Sequence, residues 1–293
     1  MSVDTEPASS VVAASRQDTW RPASDVPFWV VLGTISGLYI LLIVALLLAD
    51  TCFTSFGWIA EALRSPEIRY AILLTLISCT ITAFLSLLVA VPLGYLLARK
   101  FSGQSNGLAF ASLNGVLDTI LDIPIVLPPL VIGLSLLILF RYVPEFINRR
   151  VVYEIPAVIL AQFTVSCAFA VRTMRITFDQ INPRCEQVAL TLGCNRAQAF
   201  WHVVLPQARR GILAAGTLAW ARALGEFGPI LVFAGATRMR TEVLSTTVFL
   251  ELSIGRIEVA VAVSLLMIFA ALVALVTARF LGLRDPAMRA TTL

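Results

Sequence analysis

Six long apolar runs limit what this sequence can fold into. Each is longer than the roughly 20 residues that a helix needs to cross the hydrocarbon core of a bilayer. Hydrophobic residues make up 58% of the chain and charged residues only 14%, which is too little polar material to cover a water-soluble surface. Because a helix pairs its own backbone groups in lipid, the sequence predicts an all-α membrane protein. The six predicted transmembrane helices cover residues 27–49, 70–98, 119–140, 155–178, 211–235 and 257–281.

The segments outside these runs indicate how the chain is divided and oriented. Residues 1–26 lack an apolar pattern and are predicted to form a disordered tail, followed by a transmembrane domain over 27–284 and a second tail over 285–293. With both termini inside the cell, thirteen of the 22 Arg and Lys residues lie on the cytoplasmic side and eight outside. This bias favours an inner-membrane protein with both termini cytoplasmic. It also accounts for the basic charge, so we expect no nucleic-acid partner.

The connection over 179–210 is longer than the others and has the pattern of ordered structure. Residues 186–192 favour a helix, and Gly193 suits the left-handed position just after a helix end. Asn195 and Gln198 have the spacing of a capping box that starts a second helix. The pattern therefore predicts a helix–turn–helix elbow on the cytoplasmic side of the membrane.

Each helix of the predicted elbow has an apolar side. Pro206 is expected to end the second helix. Such an elbow suits insertion into a groove of a partner protein, and an amphipathic hairpin lying at the membrane surface is the alternative. The two predicted apolar sides comprise Val188, Ala189 and Leu192 in the first helix and Ala197, Phe200, Trp201 and Val204 in the second.

The elbow resembles the EAA loop of bacterial ABC importer permeases, which reads Glu-Ala-Ala, three residues, Gly, nine residues, Ile, any residue, Leu-Pro. Here Gln187 stands in place of the family's Glu, Glu186 precedes it by one position, and Val188 replaces the first Ala. The resemblance implies the type I ABC importer permease fold, with this loop as the coupling helix that docks on a nucleotide-binding subunit. It also implies a set of coupling residues, namely Glu186, Gln187, Val188, Ala189, Gly193, Val203, Leu205 and Pro206.

The chain has no phosphate-binding loop of its own. Such a loop needs Gly-Lys-Ser or Gly-Lys-Thr, and the single lysine, Lys100, follows Arg99 and precedes Phe101. We therefore expect a non-catalytic subunit without a cofactor, with ATP and Mg²⁺ bound by a partner ATPase. No metal site is predicted either, because Cys185, Cys194 and His202 lack close spacing and a fourth ligand.

Two of the apolar runs contain residues that are unusual inside a membrane. Prolines in the third run are expected to bend the helix where it lines a cavity. In the fifth run, Arg222 and Glu226 are four residues apart and are predicted to pair, with direct contact between Arg222 and a passing anion as the alternative. The neighbouring glycines are predicted to permit close helix contact. These pore or gate candidates are Asp122, Pro124, Pro128, Pro129 and Gly133 in the third run and Arg222, Gly225, Glu226 and Gly228 in the fifth.

The segments LDIPIVLPPLVIG and ALGEFG resemble those of the molybdate and sulfate/thiosulfate branch of ABC permeases, to which tungstate permeases are related. The resemblance runs from about Tyr70 to the sixth run. It implies an oxyanion cargo, foremost molybdate. The implied partners are two ATPase subunits, a second permease subunit that is either identical or related, and an external binding protein. Phosphate, iron or polyamine as the cargo is the alternative.

Several further possibilities stay open at this level. Hydroxyl groups in the second and fourth runs have two possible partners, a passing dianion or the backbone of their own helix. Arg149 and Arg150 belong either to a docking site for the binding protein or to a solvated surface. Two other classes are disfavoured: a passive channel or ion-coupled carrier would need no coupling loop, and an intramembrane serine enzyme would need a histidine near Ser36, whereas the single histidine, His202, lies in the predicted cytoplasmic loop. The hydroxyl candidates are Thr75, Ser78, Thr80, Thr82, Thr164 and Ser166.

Overall fold

The protein is described here from a computed structural model that covers residues 25–100, 116 and 119–283. Of the predicted tails over 1–26 and 285–293, residues 1–24 and 285–293 lie outside the described residues. All regular elements within the described ranges are helical. They are α1 (Val26–Phe53), α2 (Phe56–Arg64), α3 (Pro66–Lys100), α4 (Thr119–Val126), α5 (Pro129–Arg141), α6 (Glu145–Val151), α7 (Ile155–Gln180), α8 (Pro183–Thr191), α9 (Arg196–Ala199), a π-helical turn (Phe200–Val204), α10 (Leu205–Leu224), α11 (Gly228–Phe233), α12 (Leu244–Ile254) and α13 (Ile257–Leu283).

The chain divides into two compact units, Met1–Ala49 and Asp50–Leu293. In the first unit, the described residues after Asp25 belong to α1, an apolar helix whose single charged residue is Asp50, beyond the unit boundary. The second unit contains the remaining helices and is the subject of the following paragraphs.

The predicted apolar runs are helical, but two of them are interrupted. Among the described residues, four helices are long and apolar enough to cross a membrane as continuous elements, namely α1, α3, α7 and α13. The third run is split into α4 and α5, which meet at an angle of 114°. The fifth run is split into α10 and α11. The all-helical prediction is therefore confirmed, and the difference lies in the continuity of these two runs.

Prolines explain both interruptions. Pro128 is extended, with φ −55° and ψ 132°, and Pro129 is the first residue of α5. A residue that precedes proline is driven out of the helical region, so the third run turns sharply here, as its prolines predict. In the fifth run, α10 ends at Leu224 and α11 begins at Gly228 with Pro229 in its first turn.

The centre of the second unit is a bundle of α3, α7 and α10 with many small residues at its contacts. A Cβ atom added at Gly94 of α3 would lie 2.8 Å from the Met174 Cβ of α7. One added at Gly211 of α10 would overlap the Thr177 side chain of α7. In lipid, such close backbone approach supplies the van der Waals contact that holds helices together. The buried alanines in this bundle are Ala83, Ala90, Ala98, Ala170, Ala208, Ala215 and Ala219.

Candidate functional site

The first helix of the elbow, α8, begins and ends on local signals. The Asn182 side chain accepts a hydrogen bond of 3.0 Å from the backbone N–H of Arg184 at the start of the helix. Gly193 has φ +93°, a left-handed conformation that glycine adopts without a Cβ penalty. Beyond it, the Cys194 N–H donates to the Ala189 carbonyl at 3.1 Å. The predicted position of the turn is confirmed, and the helix starts three residues earlier than the sequence indicates.

The second helix starts with the predicted capping box. The Asn195 Oδ1 accepts from the Gln198 N–H at 2.8 Å, and the Gln198 Oε1 accepts from the Asn195 N–H at 2.9 Å. Both bonds satisfy backbone donors that a helix start leaves free. The direction in which the chain leaves Gly193 is thereby fixed.

The prediction that Pro206 ends this helix is wrong. Helical structure continues from α9 through the π turn over Phe200–Val204 into α10, with Pro206 in the first turn of α10. A proline lacks an N–H and its ring collides with the carbonyl four residues earlier in a regular helix. The wider π turn precedes this point, with the Leu205 N–H directed to the Phe200 carbonyl. The turn accommodates the proline without a break.

The predicted apolar sides of the elbow separate into a buried and an exposed set. Ala189 and Val204 are buried in the protein. By contrast, Val188, Leu192 and Trp201 are 56%, 80% and 64% exposed. Large apolar side chains that stand clear of their own protein are typical of a contact surface for a partner. We call Val188, Leu192 and Trp201 the elbow surface.

Glu186 and Gln187 point in different directions. The Glu186 carboxylate is 14% exposed and forms an ion pair with the Arg99 Nε at 3.3 Å. It also accepts a hydrogen bond of 2.5 Å from the Tyr95 hydroxyl. Gln187 is exposed. Sequence reasoning identified both positions, but it missed Tyr95, because the pairing depends on where the end of α3 lies.

The third and fifth runs meet where each is interrupted. A Cβ atom at Gly133 would lie 2.8 Å from the Pro229 Cα. One at Gly228 would lie 3.1 Å from the Leu130 N and 3.2 Å from the Pro129 Cβ. The predicted pore candidates of α5 and α11 are therefore in direct contact. A side chain at Gly133 would collide with the Pro229 backbone, whereas one at Gly228 would need α5 to shift by a few tenths of an ångström.

Arg222 and Glu226 form the predicted pair. The Arg222 Nη1 lies 2.6 Å from the Glu226 Oε1, and the Arg222 guanidinium also lies over the Phe169 ring, 5.4 Å from its centroid. Glu226 is 1% exposed, and its carbonyl accepts a hydrogen bond of 2.6 Å from the Ser245 hydroxyl. The pair neutralises both charges beside the break between α10 and α11.

Two other candidates lie apart from this contact. Asp122 of α4 forms an ion pair of 3.4 Å with Arg172 of α7, and both side chains are about half exposed. Gly225 directly follows the last residue of α10, and a Cβ atom there would meet nothing closer than 3.8 Å. The prediction that Gly225 permits close helix contact is therefore wrong, because no neighbouring helix approaches it.

The candidate hydroxyl groups mostly bond to their own helix. Thr80 and Thr164 donate to the carbonyls of Leu76 and Leu160 at 2.7 and 2.8 Å, and Thr75 and Ser78 make similar bonds. Thr82 is different, because it donates across to the Gln162 Oε1 at 3.2 Å.

Gln162 was not singled out from the sequence. It is buried, and its Nε2 donates to the Ala223 carbonyl at 3.3 Å. Its bonds therefore join α3, α7 and α10. A lone amide within an apolar run was the available signal, since polar side chains in membrane helices usually bond to a neighbouring helix.

An all-helical unit with interrupted membrane segments and a projecting elbow defines a membrane-embedded transport subunit. The chain belongs to the family described as binding-protein-dependent transport system inner membrane component, whose model matches residues 90–290.

Curated relatives place the chain more closely within this family. It is 34% identical over 180 residues to the molybdate/tungstate transport system permease protein WtpB of Pyrococcus abyssi, covering 61% of this chain and 66% of that protein. It is 32% identical over 258 residues to the molybdenum transport system permease protein ModB of Mycobacterium bovis, covering 86% and 93%. The sulfate transport system permease protein CysT of Escherichia coli is 29% identical over 222 residues, covering 73% and 76%.

Solved structures share the fold. A bacterial ABC transporter involved in the import of the acidic polysaccharide alginate matches with a TM-score of 0.63 and 23% identity, covering 89% of this chain and 96% of that chain. The MetNI methionine ABC transporter matches with a TM-score of 0.61 and 19% identity, covering 74% and 97%. The fold is that of the membrane subunits of ABC importers.

Proposed function

We propose that this chain is the membrane-spanning permease subunit of an ATP-driven importer for a tetrahedral oxyanion, with molybdate as the first candidate and tungstate and sulfate as the others. The observation that carries the proposal is the capped elbow with its exposed apolar surface, in a chain of this transport family. An elbow of this kind has no use in a passive channel.

ATP binding and hydrolysis belong, in this proposal, to a separate ATPase present in two copies, each with its own ATP and Mg²⁺. A second permease subunit, identical or related, completes the pore, and an external binding protein delivers the anion. Closure of the ATPases displaces the elbow and changes which side of the membrane the pore opens to. The elbow and both termini then lie in the cytoplasm, which agrees with the distribution of arginines.

The cargo assignment rests on the relatives and on the charge of the interrupted segments. Molybdate/tungstate, molybdenum and sulfate appear in the names of the three curated relatives. A dianion needs a path without a fixed negative charge, and Arg222 neutralises Glu226 beside the break in the fifth run. The same pairing keeps Arg222 from holding the anion as an unpaired cation.

Reconstitution tests both parts of the proposal. The chain is placed in vesicles with its ATPase and its binding protein, and ATP-dependent uptake of labelled molybdate, tungstate and sulfate is measured. Gly193→Pro should abolish uptake, because proline is incompatible with a φ of +93°. Gly193→Asn is the matched control and should retain uptake, since asparagine tolerates the left-handed region. Uptake by the chain without its ATPase would contradict the importer, and uptake of phosphate, iron or a polyamine instead would contradict the cargo.

A further inference from the structure

The Glu186 carboxylate connects the elbow to the end of the second membrane helix. On one side, it accepts a hydrogen bond of 2.5 Å from the Tyr95 hydroxyl of α3. On the other, it pairs with Arg99, one turn further along α3, at 3.3 Å. Bonds between a carboxylate and a cation or hydroxyl are stronger than neutral ones, and both charged side chains are only 14% exposed, so solvent screens the pair weakly.

Arg99 and Tyr95 extend this connection to the neighbouring segments. The Arg99 Nη2 donates to the Ile181 carbonyl at 2.9 Å, at the point where α7 ends and the elbow begins. The Tyr95 ring packs edge-on against Phe178 at the end of α7 and against Phe200 in the π turn, with centroid distances of 5.6 and 4.8 Å. The end of α3 thus contacts both arms of the elbow and the helix that leads into it.

The side chain of Gln187, next to Glu186, is not held against α3 in the same way. Gln187 is exposed and uncharged, so the elbow presents no carboxylate of its own at that position. The carboxylate next to it is directed into the protein. A contact between the elbow surface and a partner therefore depends on Val188, Leu192 and Trp201 rather than on an ion pair at positions 186–187.

We propose that Glu186 is a positioning residue that fixes the elbow to α3, so that the two move as one body when an ATPase displaces the elbow. This inference rests on the proposed function of the elbow. Gly94, one residue before Tyr95, lies tightly against Met174 of α7. A displacement of the elbow is therefore passed to both α3 and α7 in the centre of the bundle.

Variants of Glu186 test the inference in the reconstituted importer. Glu186→Gln keeps the shape of the side chain but removes its charge, and it should lower the number of anions transported per ATP hydrolysed about tenfold, because the amide has one oxygen in place of two and leaves either Tyr95 or Arg99 without its acceptor. The amount of ATPase that co-purifies with the chain should stay unchanged. Arg184→Gln, at an exposed position of the same helix, is the control and should leave both quantities at the wild-type level.

Charge reversal provides a second readout that a general loss of structure would not reproduce. Arg99→Glu should uncouple transport as Glu186→Gln does, and combining it with Glu186→Arg should restore most of the coupling. If Glu186→Gln prevents insertion of the chain, Tyr95→Phe removes a single hydroxyl and should uncouple transport to a smaller extent. Wild-type coupling in Glu186→Gln or Tyr95→Phe, or no recovery in the reversed pair, overturns the inference.

Cross-linking tests the motion itself. In a background in which the five native cysteines are replaced, Arg99→Cys and Glu186→Cys introduce two thiols that a short bismaleimide joins. Transport, which loss of the ion pair lowers in this variant, should recover after cross-linking, because the cross-link joins the elbow to α3 in place of the pair, and no recovery overturns the inference. Failure of the proposed function gives a different result. If the elbow does not bind an ATPase, Leu192→Glu leaves the ATPase bound, whether or not the Glu186 variants lose coupling.

Discussion

Hydrogen bonds and an ion pair hold the elbow in place. By contrast, α5 and α11 are held together by close backbone contact, which glycines without side chains permit. In the elbow, Asn195, Gln198 and Glu186 each satisfy particular donors, with distances of 2.5–2.9 Å. Between α5 and α11, Gly133 and Gly228 let backbone atoms of the two segments touch. Water surrounds an elbow, so its helices need caps, while lipid gives helices no hydrophobic reason to associate and leaves close fit as the main force.

The largest effect should come from filling the space at Gly133. Gly133→Leu places a side chain against the Pro229 backbone, 2.8 Å from the new Cβ, and should destabilise the fold by about 3 kcal/mol or more. Thermal unfolding in detergent measures the change. Gly225→Ala is the control, because its Cβ would have only ordinary contacts at 3.8 Å. Equal stability of the two variants would show that close backbone contact at Gly133 does not hold α5 and α11 together.

A charge on the elbow surface should affect binding rather than stability. Leu192→Glu places a carboxylate at a position that is 80% exposed, so the thermal unfolding of the isolated chain should not change. Loss of a central apolar anchor typically costs about 2 kcal/mol of binding free energy, which co-purification and titration with the ATPase would detect. Arg184→Gln again serves as the control. Unaltered affinity for the ATPase would mean that the partner contacts another surface.

Removal of the cap should have a smaller and local effect. Asn195→Ala deletes the side chain that accepts from the Gln198 N–H and should destabilise the second arm of the elbow by about 1 kcal/mol. Hydrogen exchange should become faster at the first residues of α9 and stay the same in α5 and α11. Faster exchange in α5 and α11 as well would show that the two regions are not independent.

The smallest expected effect concerns Glu242, which lies between α11 and α12. Burial raises the pKa of its carboxyl above the ordinary 4.5, although the Thr247 hydroxyl and the Arg238 guanidinium act in the opposite direction. The folded chain therefore keeps this proton to a higher pH than the unfolded chain does, and stability decreases as the pH rises above 4.5 until the folded carboxyl ionises. Glu242→Gln should be more stable than the wild type at neutral pH.

The same comparison includes its own control. Below pH 4.5 the difference in melting temperature between Glu242→Gln and the wild type should vanish, because both side chains are then neutral in either state. Glu145→Gln, in an exposed ion pair with Arg149, should differ little from the wild type, because such pairs contribute little to stability. A pH-independent difference for Glu242→Gln would contradict the buried carboxyl.

The sequence predicted the parts of this molecule that depend on neighbouring residues. The capping box at Asn195 and the left-handed Gly193 follow from a few adjacent positions, and so does the sharp bend at Pro128 and Pro129. The continuation of helix through Pro206 was missed, because a proline normally marks the end of a helix and the residue types at positions 200–204 do not indicate a π turn.

Contacts between distant segments were harder to predict. The pattern ALGEFG contains two glycines with similar surroundings in sequence, but only Gly228 lies against another backbone. The inward direction of Glu186 depends on the position of Tyr95, which is 91 residues away in the chain. Gln162 likewise acts through partners in α3 and α10. Residue types alone do not identify the distant partner in such contacts.

The π turn also gives the fifth run a mechanical property. Because helical structure continues from Arg196 to Leu224, the second arm of the elbow leads into the first half of this run without an intervening loop. At 1.5 Å per residue, the helical path from Arg196 to Arg222 is about 40 Å long. A displacement of the second arm therefore reaches Arg222 through a continuous series of helical hydrogen bonds.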